Sequence, residues 1–184
     1  ALLEDGQPIG HFHEIVGRGH AERLLPAIAE LPGGGRASLI LVDVGPGSFT
    51  GIRVGLAMGQ GLGIALGIPC HGAAGDRMVA ARAFAADPAL GRVAVFLDAR
   101  RGELFARIHT RAGPEGEPVA LLPEEAAGLA RQADASAGVH PSPPGASCDG
   151  LTSAPCAADM RHLLAADLLP PIPLYVRAPD ARLP

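Results

Sequence analysis

Three groups of side chains in this sequence have the types and spacing to do chemistry. The first is the stretch GPGSFTG at residues 45–51. Backbone N–H groups at a helix start attract anions, so such a turn can cradle a phosphate. Ser48 or Thr50 can cap the helix that follows, and Arg53 falls in its first turn. The stretch lacks the lysine of a Walker loop, and no G-x-G-x-x-G is present. A tight turn with a hydroxyl cap explains it with fewer assumptions. The second group is His11, His13, Glu14 and His20. His11 and His13 are predicted to share one strand face, with Glu14 on the other. Structural zinc wants four ligands in a closed geometry, so surface histidines on an edge strand are the simpler reading. The third group, Asp98, Arg100, Arg101 and Glu103, flanks a predicted hairpin turn. It offers acid–base groups, or a solvated turn with local ion pairs worth under about 1 kcal/mol.

Composition removes several chemistries. All fifteen basic residues are arginine. Without lysine there is no Schiff-base chemistry and no P-loop lysine, which excludes pyridoxal-phosphate enzymes and Walker-type NTPases. The net charge is −4, and no basic patch is apparent in the sequence. With five Phe, one Tyr and no Trp, stacking platforms are scarce, so contact with nucleic acid is expected to be indirect only. Cys70, Cys148 and Cys156 are odd in number and show no CxxC spacing, as suits reduced thiols in a cytoplasm. No signal peptide opens the sequence. Residues 50–66 are the one candidate for a membrane span, but they carry Arg53 and Gln60 and fall about one turn short.

The elements that must position these groups alternate in type. Residues 1–3 and 8–15 read as strands joined at Asp5-Gly6. Residues 20–31 carry a helical apolar pattern that ends at Gly33-Gly34-Gly35. Strands are predicted at 39–44, 68–72, 93–98, 103–110 and 118–122. Helices are predicted at 50–66, 76–85 with Asp76 as cap, 123–131 and 155–168. Residues 137–150 read as a Pro/Gly/Ser loop, and the proline-rich tail from 170 as an extended surface segment. The order implies an α/β fold with mixed sheets. A composition change near residue 93 suggests lobes at 1–92 and 93–184, with 170–184 packing back on the first.

Glycines at 51, 55, 59, 63 and 67 stand four apart along the helix at 50–66. Each costs about 1 kcal/mol relative to alanine. Residues four apart share a face, so the stripe implies close approach of another backbone. That backbone can belong to a partner helix, to the chain's own sheet, or to both.

The string GPGSFTGIRVG, preceded by GHAERLLPAIAEL and followed by a small-residue helix and GIP, resembles the bacterial TsaB (YeaZ) family. DARRGELFA at 98–106 and LYVRAPDARLP at 174–184 agree with it. The resemblance covers nearly the whole chain apart from residues 137–150. It implies a ribonuclease-H-like, actin/Hsp70-like ATPase fold in two small lobes. It also implies a non-catalytic, cytoplasmic scaffold with no metal or cofactor, which serves threonylcarbamoylation of adenosine 37 in tRNA. The implied partners are TsaD, which carries the transfer chemistry, and the ATPase TsaE, with a homodimer as an alternative use of the same face. The implied interface is formed by the first two helices, through His20, Arg23, Leu24, Ala27, Thr50, Arg53, Val54, Gly55, Ala57, Met58 and Gly61.

Two departures bear on this reading. TsaD-like proteins carry two metal-binding histidines after the matching Ile-Pro; aligned on Ile68-Pro69, those places hold Gly75 and Val79. Neither residue can ligate iron or zinc. The family also begins with a strand bearing an Asp-Thr pair, and this sequence is read as starting after it. The competing function is an ATP-binding, phosphotransferase- or glycoprotease-like enzyme. It would use residues 45–51 for phosphate and Asp43 or Asp98 for magnesium.

Overall fold

The computed structural model describes residues 1–14, 19–139 and 154–177. The chain opens with a hairpin, β1 (Leu2–Glu4) and β2 (Gln7–Gly10). Asp5 and Gly6 both take positive φ, the geometry that a two-residue hairpin turn needs. β2 stops at Gly10, so His11 and His13 lie beyond the strand and share no strand face. Ile15, the end of the predicted strand, lies outside the described residues.

Helix α1 (His20–Ala29) ends two residues earlier than its apolar pattern. Leu31 is extended because Pro32 follows it, and a 3₁₀ turn, Pro32–Gly34, takes over. β3 (Ile40–Gly45), α2 (Phe49–Leu66) and β4 (Cys70–Ala74) form a parallel β-α-β unit. Ser48 Oγ accepts from Gly51 N at the start of α2, and Gly67 closes it with φ 66°. α2 is 18 residues long and apolar enough to cross a membrane by length and composition. Its Ile52, Leu56, Gly59 and Gly63 are buried within the chain.

Helix α3 (Gly75–Ala86) follows β4 without a loop. Its N-cap is Ala74; Asp76 sits inside the first turn and is buried, so it is not the predicted cap. β5 (Arg92–Asp98), β6 (Leu104–Thr110) and β7 (Gly113–Leu121) form an antiparallel meander. α4 (Pro123–Ala130) leads into β8 (Ala135–Gly138), which pairs parallel to β5. β8 overlaps the predicted loop at 137–150, whose remainder from His140 lies outside the described residues. The sheet order is β7-β6-β5-β8, whereas β1–β2 and β3–β4 are separate two-stranded ladders.

Alternation along β5 builds the core on both faces of this sheet. Val93, Val95 and Leu97 meet Val79, Ala80, Ala83 and Phe84 of α3. Ala94 and Phe96 face the other way, with Ala126 of α4. A smaller cluster joins α2 to β3 through Val42, Val44, Ile52 and Leu56.

The helix predicted at 155–168 is instead two 3₁₀ turns, Ala157–His162 and Ala165–Asp167, with Leu163 and Leu164 extended between them. Each turn is anchored to α3 by an ion pair: Arg82–Asp159 and Arg77–Asp167, both at 2.7 Å. The tail then runs extended. Leu169 exchanges two backbone hydrogen bonds with Gly72, and Leu174 N donates to Val44 O.

Candidate functional site

The structure divides the eleven residues of the implied interface. Val54, Ala57, Met58 and Gly61 share one side of α2, as their spacing requires. With Ala21, Leu25 and Leu62 they line a shallow apolar groove of about 390 Å³ between α1 and α2. Leu24 and Gly55 lie deeper, in a second apolar cleft of about 480 Å³ walled by α1, α2, β3 and Ala1–Leu2. Arg23 is engaged within the chain. It pairs with Glu14 at 3.2 Å and Glu30 at 3.0 Å, and stacks over the Phe12 ring. Ala27 is 3% exposed and offers no free surface. His20 opens α1.

The sequence reading did not single out Leu25, which is 49% exposed, or Ile64, which is 85% exposed. Both continue the same helical spacing, so the signal was present: 21 and 25 on one helix, 57, 61 and 64 on the other.

The glycine face turns inward. Gly59 and Gly63 are buried against Ile40, Val42, Ile68 and Cys70, and Gly55 is within contact of Val42. The stripe therefore permits close packing of α2 on its own sheet, where the resemblance favoured a partner helix. Gly61, outside the stripe, has nothing near its missing Cβ and lies on the groove.

At the N-terminal end of α2 the three family-like strings come together. Gly47–Thr50, Asp98–Arg100 and Leu174–Arg177 line one cleft of about 200 Å³. Arg53 donates to the Tyr175 hydroxyl at 3.0 Å and stacks over Phe49. The Phe49 and Tyr175 rings lie 4.9 Å apart. Arg177 donates to Glu103 and to Ala99 O, so Glu103 is tied to the tail as well as to its own turn. Arg100 and Asp98 form an exposed pair at 3.4 Å. Ser48 Oγ accepts from Gly51 N, and among the described residues no His or Cys lines the cleft.

Of the two alternative carboxylates for magnesium, Asp98 lines this cleft and Asp43 does not. The Asp43 carboxylate lies against the start of α3 at Gly75 and accepts from Gly45 N at 2.8 Å. Burial pushes the Asp43 carboxyl up to about 6, opposed by hydrogen bonds from Gly45 and Gly75 and aided by the charge of Asp76. Among the described residues no three His, Cys, Asp or Glu side chains converge as a metal set.

Beneath α3 lies a buried polar cluster. Asp76 Oδ2 is 3.3 Å from both Arg107 Nε and His109 Nε2. His109 is fully buried, and its Nδ1 has no hydrogen-bond partner among the described residues. The tautomer that fits carries its hydrogen on Nε2 and donates to Asp76. This cluster joins α3 to β6 and touches neither groove nor cleft.

Residues 7–128 match the family model described as TsaD, tRNA N6-adenosine threonylcarbamoyltransferase. A protein of Mycobacterium bovis is 31% identical across 95% of this chain and 82% of its own length. The Escherichia coli tRNA threonylcarbamoyladenosine biosynthesis protein TsaB is 34% identical across 57% of this chain and 47% of its own length. The chain belongs to the TsaB (YeaZ) family. It spans about half the length of the curated TsaB relatives it matches. YeaZ from Pseudomonas aeruginosa superposes with a TM-score of 0.65 at 28% identity, over 88% of this chain and 86% of that one. A second solved structure, described as similar to peptidase YeaZ from Pseudomonas aeruginosa, gives 0.69 at 29% identity over 89% and 87%. The TsaB fold, actin-like and ribonuclease-H-like, is thus the fold of this chain.

Proposed function

We propose that this chain is a non-catalytic scaffold in tRNA threonylcarbamoyladenosine biosynthesis, and that it binds TsaD through α1 and α2. The observation that carries this reading is the apolar groove of Ala21, Leu25, Val54, Ala57, Met58 and Gly61. A helix pair with one face packed and the other apolar and exposed needs a partner. TsaD is a fitting one, because the TsaD family model itself matches this chain and related folds pack through related faces. The same groove serves a homodimer when TsaD is absent. TsaE joins through the larger complex, and tRNA is met indirectly. The setting is the cytoplasm. The proposal divides the chain at residues 92 and 93, at the first residue of β5, the strand that opens the four-stranded sheet.

The test is to mix the chain with TsaD from the same organism and read the mass by light scattering on a sizing column, with and without ATP. A one-to-one complex is expected. Absence of a complex in both conditions overturns the scaffold reading.

A second reading rests on the cleft at the start of α2, which combines helix N-terminal amides, Asp98 and Arg100. It makes the chain an ATP-binding enzyme of the same superfamily. ATP turnover by the purified chain, abolished in Asp98→Asn, would favour it over the scaffold.

A further inference from the structure

The tail from Leu169 to Arg177 touches β4, α2, the end of β3 and the β5–β6 turn in nine residues. Leu169 N and O pair with Gly72 of β4. Pro171 O accepts from Gln60 Nε2 at 2.8 Å, from the flank of α2. Leu174 N donates to Val44 O at 2.7 Å, and the Leu174 side chain packs on the Val42, Val44, Ile52 and Leu56 cluster. Tyr175 accepts from Arg53, one helical face with Gln60 because the two are seven apart. Val176 packs on the core of the four-stranded sheet, and Arg177 closes on Ala99 O and Glu103 at the β5–β6 turn. Two glycines make room for it. A Cβ at Gly72 would stand 2.7 Å from Pro170 O, and one at Gly45, where φ is 103°, 2.9 Å from Leu174 O.

This segment joins the β3–β4 ladder, the flank of α2 and the four-stranded sheet, and forms one wall of the cleft at the start of α2. We infer that Leu169–Arg177 is a strap that couples the β5–β6 turn to the first turns of α2, so that release at one end loosens the other. At the surface the coupling runs through the Arg53–Tyr175 and Gln60–Pro171 hydrogen bonds and the Phe49–Tyr175 ring contact, beside the inner contact of Leu174 with Ile52 and Leu56. The surface contacts lie away from the hydrophobic clusters, so they can be removed without cutting into the core. The strap works as a device in the isolated chain, whatever occupies the α1–α2 groove.

A double-mutant cycle read by amide hydrogen exchange on the full chain tests it. Arg177→Ala frees the far end of the strap. In the otherwise native chain it is expected to raise exchange about tenfold at Leu174, and about three- to tenfold at Gly51 and Ile52, while Val95 and Phe96 keep their protection. In a Tyr175→Ala, Gln60→Leu background, which removes both hydrogen bonds and the ring contact, the same substitution is expected to raise exchange at Leu174 but to leave Gly51 and Ile52 within about twofold. Equal changes at Gly51 and Ile52 in both backgrounds overturn the coupling. So does an Arg177→Ala chain in which Leu174 exchanges faster but α2 does not respond at all. A general loss of protection that includes Val95 and Phe96 also overturns it, because Arg177 would then be holding the fold as a whole.

Discussion

A Cβ on Gly59 would stand 2.3 Å from Cγ2 of Val42, closer than two bonded neighbours-but-one in an alkane. Helix α2 therefore rests on β3 with no room for a methyl group. Gly59→Ala is expected to cost about 1–3 kcal/mol, the range for overpacking a filled core. Gly61→Ala two residues on, where nothing lies within 4 Å, is expected to gain up to about 1 kcal/mol of helix propensity. Urea titration of the two variants against the parent measures both. Equal effects would mean that α2 does not sit on β3 as described.

Ala57→Arg places a long cation on the exposed side of α2, in the groove. It is expected to weaken TsaD binding about tenfold or more while the melting temperature stays put. Gly55→Leu is a poorer probe, because a Cβ at Gly55 already stands 3.5 Å from Val42 and a larger side chain would disturb the chain's own packing. Isothermal titration with Ala57→Arg, beside a melting curve, separates the two causes. Unchanged affinity would place the interface elsewhere.

The Asp43 carboxyl, raised by burial to about 6 from 3.8, gives stability a pH dependence. Between those values the folded chain holds a proton that the unfolded chain has released, so stability falls as pH rises through the window. The full span is worth up to about 3 kcal/mol. Asp43→Asn is expected to flatten that part of the curve. Urea midpoints at several pH values from 3.5 to 7 check it, and an unchanged slope in the variant would assign the effect to another group.

Asp76→Ala removes the carboxylate that hydrogen-bonds His109 and forms an ion pair with Arg107. The buried Arg107 guanidinium is then left with the longer contact to exposed Glu117 at 3.7 Å, and the loss is expected to cost about 3–5 kcal/mol. The separation of α3 from β6 would show as loss of hydrogen-exchange protection along Leu104–Thr110. A loss under 1 kcal/mol would mean that water reaches Arg107 readily.

The sequence was most legible where local chemistry decides structure. Asp5-Gly6 specified its hairpin, the hydroxyls at 48 and 50 a cap that Ser48 supplies, and the apolar run at 93–98 a strand. The family and the actin-like fold were legible in GPGSFTGIRVG and its companion strings, which the cleft at α2 brings together. Misreadings occurred where tertiary contacts override local preference. Ala-Ser-Ala-Gly has no β-branched residue to mark a strand, and β8 exists because the β5 edge is there to pair with it. Residues 155–168 have a helical composition, but the pull of Arg77 and Arg82 on Asp167 and Asp159 holds them as two short turns. Periodicity identified the glycine face but could not say what lay against it, since a sheet and a partner helix demand the same small residues. Ala27 entered the implied interface for the same reason and is buried within the chain.

The strap also sets an order of events during synthesis. Arg53 and Tyr175 are 122 positions apart, and Gln60 and Pro171 are 111 apart. Val44 O receives a hydrogen bond from Leu174 N, 130 positions later. A ribosome adding about 5–20 residues per second leaves α2 and the end of β3 waiting roughly 6 to 24 s for that segment. Throughout that interval the nascent chain presents the flank of α2 and the rim of the cleft uncovered, so the late-emerging tail is the step that shields them.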